Sequence, residues 1–408
     1  MTMPESASSR IRSPHMRAAF CQISDLDDIK SELIGIRRHL HQHPELSYQE
    51  ADTSALVAAR LEGWGYAVTR HIGGNGVVAT LRAGSSTRSI GLRADMDALP
   101  IHEMTGLAYA SRHQGKMHAC GHDGHTAMLL GAALQLSRTR QFDGIVNLIF
   151  QPAEEAGFNS GAVQMLQDGL FERFPCDAIF GMHNHPGVAT GVFMFRSGPF
   201  MAACDTVKID IIGKGSHAAR PQLSIDPLVT ASSLVMALQT LVSRNIDPMD
   251  AAVVTVGALH AGHAANVIPE HATMELSVRS FKPEVRALLE KRIRALVQSH
   301  AAGYGAKAEI EYLCGYPVLV NADAETEFAR QVALELVGAE KIIAPFDPIA
   351  GSEDFAYFLQ QRPGCFLRIG NGAGKPMLHN ARYDFNDDNV SLGAAYWTRL
   401  VERYLQVP

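Results

Sequence analysis

Six segments between residues 204 and 316 decide the fold: TVKIDII (206–212), PLVTASSLVMALQTL (227–241), AVVTVGAL (252–259), TMELSV (273–278), PEVRALLEKRIRALVQSH (283–300) and AEIEY (308–312). In the first, apolar and polar residues alternate as a half-buried strand requires. The second and fifth read as helices, and the remaining three as strands. The order strand-helix-strand-strand-helix-strand is that of a small split βαβ sandwich.

The sequence on either side has another rhythm. Leu26, Ile29, Leu33, Ile36 and Leu40 recur at three- and four-residue steps, which is a helical face, and Pro44 stops it. A second helix is expected from Gln49 to Glu62, ending at Gly63 and Gly65, and a third from Asp123 to Leu136. Val77–Leu81, Ile90–Leu92, Ile145–Phe150 and Ala178–Met182 are short apolar runs bounded by glycine, serine or charge, and read as strands. Strands alternating with helices imply an α/β domain with a largely parallel sheet, and the alternation resumes after Val318. The expected architecture is therefore a catalytic α/β domain, 25–203 and 317–408, interrupted by an inserted ferredoxin-like α+β domain, 204–316. Residues 1–24 are expected to be a disordered extension.

Composition narrows the function. The 408 residues are 47% hydrophobic and 19% charged, with a net charge of −6 and no long Lys/Arg run, which argues against a nucleic-acid binder. No apolar run reaches the length of a membrane span. The polar first twenty residues lack the apolar stretch of a secretory signal. Six irregularly spaced cysteines make no disulfide framework, so a reducing cytoplasm is expected.

Chemistry concentrates in five short runs. MHACGHDGH (117–125) lies just before a helix. The one-residue gap between Cys120 and His122 lets both reach one metal ion, although a buried cysteine beside capping histidines would look the same. FQPAEE (150–155) puts Glu154 and Glu155 just beyond a buried strand, at the strand ends where open α/β sheets carry their sites. One carboxylate could hold metal while the other takes a proton, but paired glutamates are far more often a solvated turn. GMHNHP (181–186) again follows an apolar strand, and PMLHN (376–380) near the C-terminus is similar. GSEDF (351–355) adds a turn with two acids.

In this order and spacing the pieces resemble the dinuclear metallopeptidase and aminoacylase family, within it the hippurate hydrolases, plant auxin-conjugate hydrolases and N-acetyl-diaminopimelate deacetylases. The match extends from Arg37, His41 and Pro44 to Trp397. The resemblance implies Cys120, His122, Glu155, His183 and His379 as ligands of two divalent metal ions, zinc or manganese, and Glu154 as general base. It implies that Asn266 and Arg279 hold the substrate carboxylate. It also implies that His217, in GSHA (215–218), reaches across a homodimer formed by the inserted domain.

Two departures stand out. RADMD (93–97) occupies the place of the wider family's His-x-Asp turn, which makes Asp95 and Asp97 orienters rather than ligands. AGFN (156–159) replaces a glycine-rich run and alters the pocket wall. The implied activity is metal-dependent hydrolysis of the amide bond of a small N-acyl amino acid, with no nucleic-acid or membrane partner. A diaminopimelate-type deacetylase, a dipeptidase and a non-catalytic binder of acyl-amino acids are the competing readings, and Glu154 argues against the last. His39, His41 and His43 form a metal-like cluster with no ligand role in the family. His260 and His263 are expected to shape the carboxylate pocket, and Cys204 and Cys314 to pack at the domain junctions.

Overall fold

The computed structural model describes residues 20–407. An eight-stranded sheet forms the main body. In spatial order its strands are Ala67–Ile72, Gly76–Ala83, Gly144–Gln151, Ser89–Asp95, Ala178–Pro186, Gly364–Gly372, Phe193–Met194 and Ile342–Ile343. The four central strands, 144–151, 89–95, 178–186 and 364–372, are mutually parallel. Strands 76–83 and 193–194 pair onto them antiparallel, and 67–72 pairs antiparallel with 76–83. Strand Ala67–Ile72 carries no apolar run to betray it, because it lies at the sheet edge and is mostly exposed.

Alternation along the central strands feeds two cores, one on each face of the sheet. Leu148, Phe150 and Phe180 pack with helices Lys30–Gln42, His122–Thr139 and Asp388–Tyr404. Ile149, Ile179 and Phe366 pack on the other face with Met165, Phe355 and Phe358 from short helices. Helix His122–Thr139 is buried from His122 to Leu136, which explains why its sequence is apolar almost all round.

The second sheet has four antiparallel strands in the order Ala252–Ala261, His271–Ser280, Ala203–Ile212, Lys307–Cys314. Helices Pro227–Asn245 and Pro283–Gly303 share a separate core with it, through Leu234, Leu238, Leu289, Ile293 and Val297 against Val207, Ile209 and Met274. This is the ferredoxin-like insertion that the segment order predicts. At its base the buried Asp205 accepts from Arg286 Nε at 3.0 Å, Tyr312 Oη at 3.0 Å and Gly315 N at 3.1 Å, tying the first and last strands together.

Residues 1–19 of the expected extension lie outside the described residues. Residues 20–24 are a correction to it. Cys21 is buried, its N–H donates to Glu402 Oε2 at 2.7 Å, and its carbonyl accepts from Arg399 Nε at 2.9 Å. A short polar stretch reads as loose in sequence, but these bonds to the C-terminal helix hold its end in place. No helix among the described residues is long and apolar enough to cross a membrane.

Candidate active site

The carboxyl ends of the parallel strands converge on one cleft of about 510 Å³. Cys120, Glu154, Glu155, His183, Arg279 and His379 line it, together with Tyr316, Ser352, Glu353 and Arg368. Strand Ser89–Asp95 delivers Asp95 and, two residues on, Asp97. Strand Gly144–Gln151 delivers the paired glutamates after Pro152, and strand Ala178–Pro186 carries His183. Cys120 and His122 flank the N-terminus of helix His122–Thr139.

The turn at Gly121 brings Cys120 and His122 together. Its φ of 89° lies in the left-handed region, and a Cβ there would overlap Asn184 Nδ2 and Tyr383 Oη. Those atoms hold the turn, since Asn184 Nδ2 donates to the Cys120 carbonyl at 2.6 Å and Tyr383 Oη donates to Asn184 Oδ1 at 2.8 Å. Two further site residues, Ala153 at φ 52° and His379 at φ 62°, are left-handed without being glycine. Each is held by its N–H, donated to Glu50 Oε1 at 2.8 Å and to the Ala119 carbonyl at 2.9 Å respectively. Strain of this kind persists only where the surroundings over-determine it, and here it aims Glu154 and the His379 ring. The bond from His379 N to Ala119 also fastens the C-terminal loop to the Cys120 turn.

Side chains at this cleft fall into several overlapping groups, one of which joins Glu154 to His122 and Glu155. The donor atoms of Cys120, His122 and His183 lie within 4.8 Å of one another, and so do those of Cys120, Glu155 and His379. Cys120 Sγ is 3.3 Å from His183 Nε2, and His379 Nε2 is 3.2 Å from Glu155 Oε1. Among the described residues, buried His122 Nε2 has no hydrogen-bond partner. Orphaned buried donors and acceptors are costly unless something else satisfies them, and a thiol, imidazoles and a carboxylate are the donor set of zinc and neighbouring divalent ions. The residues fit a two-ion centre.

A rigid polar frame sets the orientation of these side chains. Asp97 Oδ1 lies 3.2 Å from His122 Nδ1 and accepts from Glu154 N at 3.1 Å, while its Oδ2 accepts from Glu155 N at 3.0 Å and Ser47 Oγ at 2.7 Å. One carboxylate thereby holds both the histidine ring and the paired-glutamate turn. Asp95 lies 2.6 Å from His125 Nδ1 and accepts from Arg93 Nη1 at 2.7 Å. His125 Nε2 takes the Asn184 N–H at 3.0 Å, so both its ring nitrogens are engaged. His41 is likewise committed, to Asp123 at 2.8 Å and Glu103 at 3.3 Å.

Glu154 is buried, and its carboxyl makes no side-chain hydrogen bond among the described residues. Burial, then the nearby charges of Glu353 and Glu155, hold it well above the ordinary carboxylate range. Bound cations would act in the opposite direction. Glu353 and Asp354, the acids of the 351–355 turn, both accept from Arg93 Nη2 at 2.9 Å. Arg93 is thus the buried cation that balances this acidic wall. Sequence reasoning gave neither Arg93 nor the two acids a role; a charged residue inside an apolar strand was the available signal.

The remaining expected residues divide. Arg279 projects from the insertion into the cleft and donates to Ser352 Oγ at 2.9 Å. His217 and Asn266 do not line the cleft of their own chain. Both are exposed, at the short antiparallel ribbon that pairs Ser216–His217 with Val267–Ile268. His263 lines a separate depression with Val267 and Pro269 rather than the carboxylate pocket. Cys204 lines the catalytic cleft and Cys314 is exposed, so neither is simply a packing residue.

Fold and site together define a metal-dependent hydrolase with an inserted domain beside its cleft. The sequence pattern described as Peptidase family M20/M25/M40 matches residues 91–403. Hippurate hydrolase of Campylobacter jejuni subsp. jejuni is 42% identical over 384 residues, covering 94% of this chain and 99% of that protein. N-acetyl-L-cysteine deacetylase of Bacillus subtilis is 43% identical over 358 residues, covering 88% of this chain and 84% of that protein. A solved Bacillus subtilis structure, described as a dinuclear metal binding peptidase from the M20 family, superposes with a TM-score of 0.80 at 34% identity, covering 93% of this chain and 99% of that one. The chain belongs to the M20/M25/M40 peptidase family. It is a metal-dependent amidohydrolase whose cofactor is a pair of divalent metal ions.

Proposed function

We propose that the enzyme cleaves the amide bond of small N-acyl amino acids, releasing a carboxylic acid and an amino acid. The observation that carries this reading is the placing of Glu154, without a partner, beside the two donor groups that share Cys120. Hippurate and N-acetylcysteine, the substrates in the names of two relatives, share an amide between an acyl group and an amino acid.

The division of labour follows from the residues. Cys120, His122, Glu155, His183 and His379 hold the two ions, zinc or manganese, which when bound supply Lewis-acid polarisation of the scissile carbonyl and a more acidic water. Glu154 takes the proton of the attacking water and delivers it to the leaving amine. Asp97 keeps the Glu154 turn and the His122 ring in register. Arg279 holds the free carboxylate by charge-assisted hydrogen bonds, and Asn266, exposed on the same ribbon as His217, adds a neutral one from the partner subunit.

His217 stabilises the developing oxyanion from the partner subunit of a homodimer. Its exposure on the insertion, away from its own cleft, supports action in trans. The insertion also presents exposed apolar side chains, Met236 at 71% and Met249 at 89%, and, among the described residues, strand Ala252–Ala261 ends its sheet with an unpaired edge. Residues 204–316 form the lid and dimerisation domain, hinged near Ala203 and Tyr316, on a catalytic domain of 25–203 and 317–408. The six free cysteines suit a reducing, cytoplasmic setting.

The test is a screen of the protein, with and without added zinc or manganese, over a panel of N-acyl amino acids and dipeptides. Metal-dependent release of the amino acid from the acyl substrates is expected. Turnover confined to dipeptides, or none with any metal, would overturn the reading.

A further inference from the structure

The cleft holds a second arginine that the mechanism above leaves unused. Arg368 lies on the central strand Gly364–Gly372, in register with His183 on the neighbouring strand, so the two side chains leave the same face of the sheet. It is 3% exposed. Among the described residues it forms no ion pair, unlike the buried Arg37 and Arg93, each of which meets several carboxylates; buried Arg399 also lacks an ion pair, but it donates to the carbonyls of Cys21 and Phe20. Nη1 lies 3.3 Å from His185 Nδ1, Nη2 donates to the Met201 thioether at 3.3 Å, and Nε has no partner.

A guanidinium presents five N–H donors, and a buried cation without a counter-charge is costly. A thioether is a weak acceptor that satisfies little of that demand. The cleft that Arg368 lines carries the apolar side chains of Met201, Ile349, Met377 and Leu378 as well as the carboxylates of Glu154, Glu155 and Glu353, none of which is hydrogen-bonded to it. Apolar side chains and an under-satisfied planar cation in one mixed cleft match a carboxylate on a short aliphatic chain. Arg279 reaches the same cleft from the insertion, so the two cations belong to different walls.

We propose that Arg368 binds a second carboxylate, on the acyl side of the substrate, so that the preferred substrates are N-acyl amino acids whose acyl chain itself ends in a carboxylate, of the succinyl type. This rests on the reading that the enzyme hydrolyses N-acyl amino acids and that Arg279 takes the amino-acid carboxylate.

The metal-loaded enzyme is assayed with N-succinyl-alanine and N-acetyl-alanine. The wild type should favour the succinyl substrate, and Arg368→Met should lower the succinyl-to-acetyl ratio of kcat/KM by roughly 10- to 100-fold, chiefly through KM, the loss of a hydrogen bond to a charged group. Arg368→Lys, which keeps the charge without the fork, should restore part of the ratio. A wild type that prefers the acetyl substrate overturns the proposal without any variant. So does an equal loss on both substrates, which would put Arg368 on the amino-acid carboxylate or in a structural role. Calorimetric titration with succinate separates the two layers of the argument. If neither substrate is cleaved, the hydrolytic reading fails, and weaker succinate binding by Arg368→Met than by wild type still supports the anion site. Equal succinate binding by both proteins overturns it.

Discussion

At the scale of single residues, the proposed chemistry turns on Glu154. It lies behind the strand end that also presents Glu155, yet the two carboxyls differ in surroundings. Glu155 is 3.2 Å from His379 Nε2, whereas the Glu154 carboxyl has no such neighbour and is buried. Glu154→Gln keeps the shape and removes the base. Turnover should fall roughly a hundredfold or more, with metal content and substrate affinity close to wild type. Steady-state kinetics beside elemental analysis of the purified variant checks it, and a near-wild-type rate would remove Glu154 from the proton transfer. The adjacent glutamates were visible in the sequence. Their unlike environments were not, because those depend on His379, Glu353 and Tyr316, each remote in the chain. The Tyr316 hydroxyl donates to the Glu154 carbonyl and accepts from Gly157 N, a contact between the end of the insertion and the paired-glutamate turn.

At the scale of elements, the turn into helix His122–Thr139 decides whether the donors meet. Gly121 is left-handed and sits against the Asn184 amide and the Tyr383 hydroxyl. Gly121→Ala must bear the strain of a positive φ and displace at least one buried hydrogen bond. A loss of about 2–4 kcal/mol of stability is expected, together with weaker metal binding. Denaturant unfolding of the metal-free protein and a metal titration measure the two effects. An unchanged unfolding midpoint would mean that the turn relaxes at little cost. The glycine was legible as part of the Cys120–His125 run, but its reason comes from strand Ala178–Pro186 and from Tyr383, packed against it from elsewhere in the chain.

At the scale of the whole molecule, the question is which chain's cleft His217 serves. A Glu154→Gln chain and a His217→Ala chain should each be nearly inactive alone. Co-expressed as heterodimers, they place one intact His217 opposite one intact Glu154, and part of the activity should return, because a residue acting across an isologous two-fold serves the other chain's site. Purified, differentially tagged heterodimers give the measurement. Absence of rescue in them would mean that His217 acts within its own chain or not at all.

Local pattern was enough for the class of fold and for picking out the runs that carry candidate donors. The segment order between 204 and 316, the apolar runs of the parallel strands and the residues of the Cys120, Glu154 and His183 runs are properties of short windows, since periodicity and motif spacing are local. Tertiary structure alone decided the rest, because burial and electrostatic balance are sums over distant residues. It made His125 and His41 structural by occupying both of their ring nitrogens. It set Arg93 as the counter-charge of Glu353 and Asp354, and showed strand Ala67–Ile72 at an edge where no apolar pattern is needed. It also left Arg368 buried beside His183 with no carboxylate hydrogen-bonded to it among the described residues, a condition that no window of the sequence could reveal, because a missing partner is a property of everything packed around it.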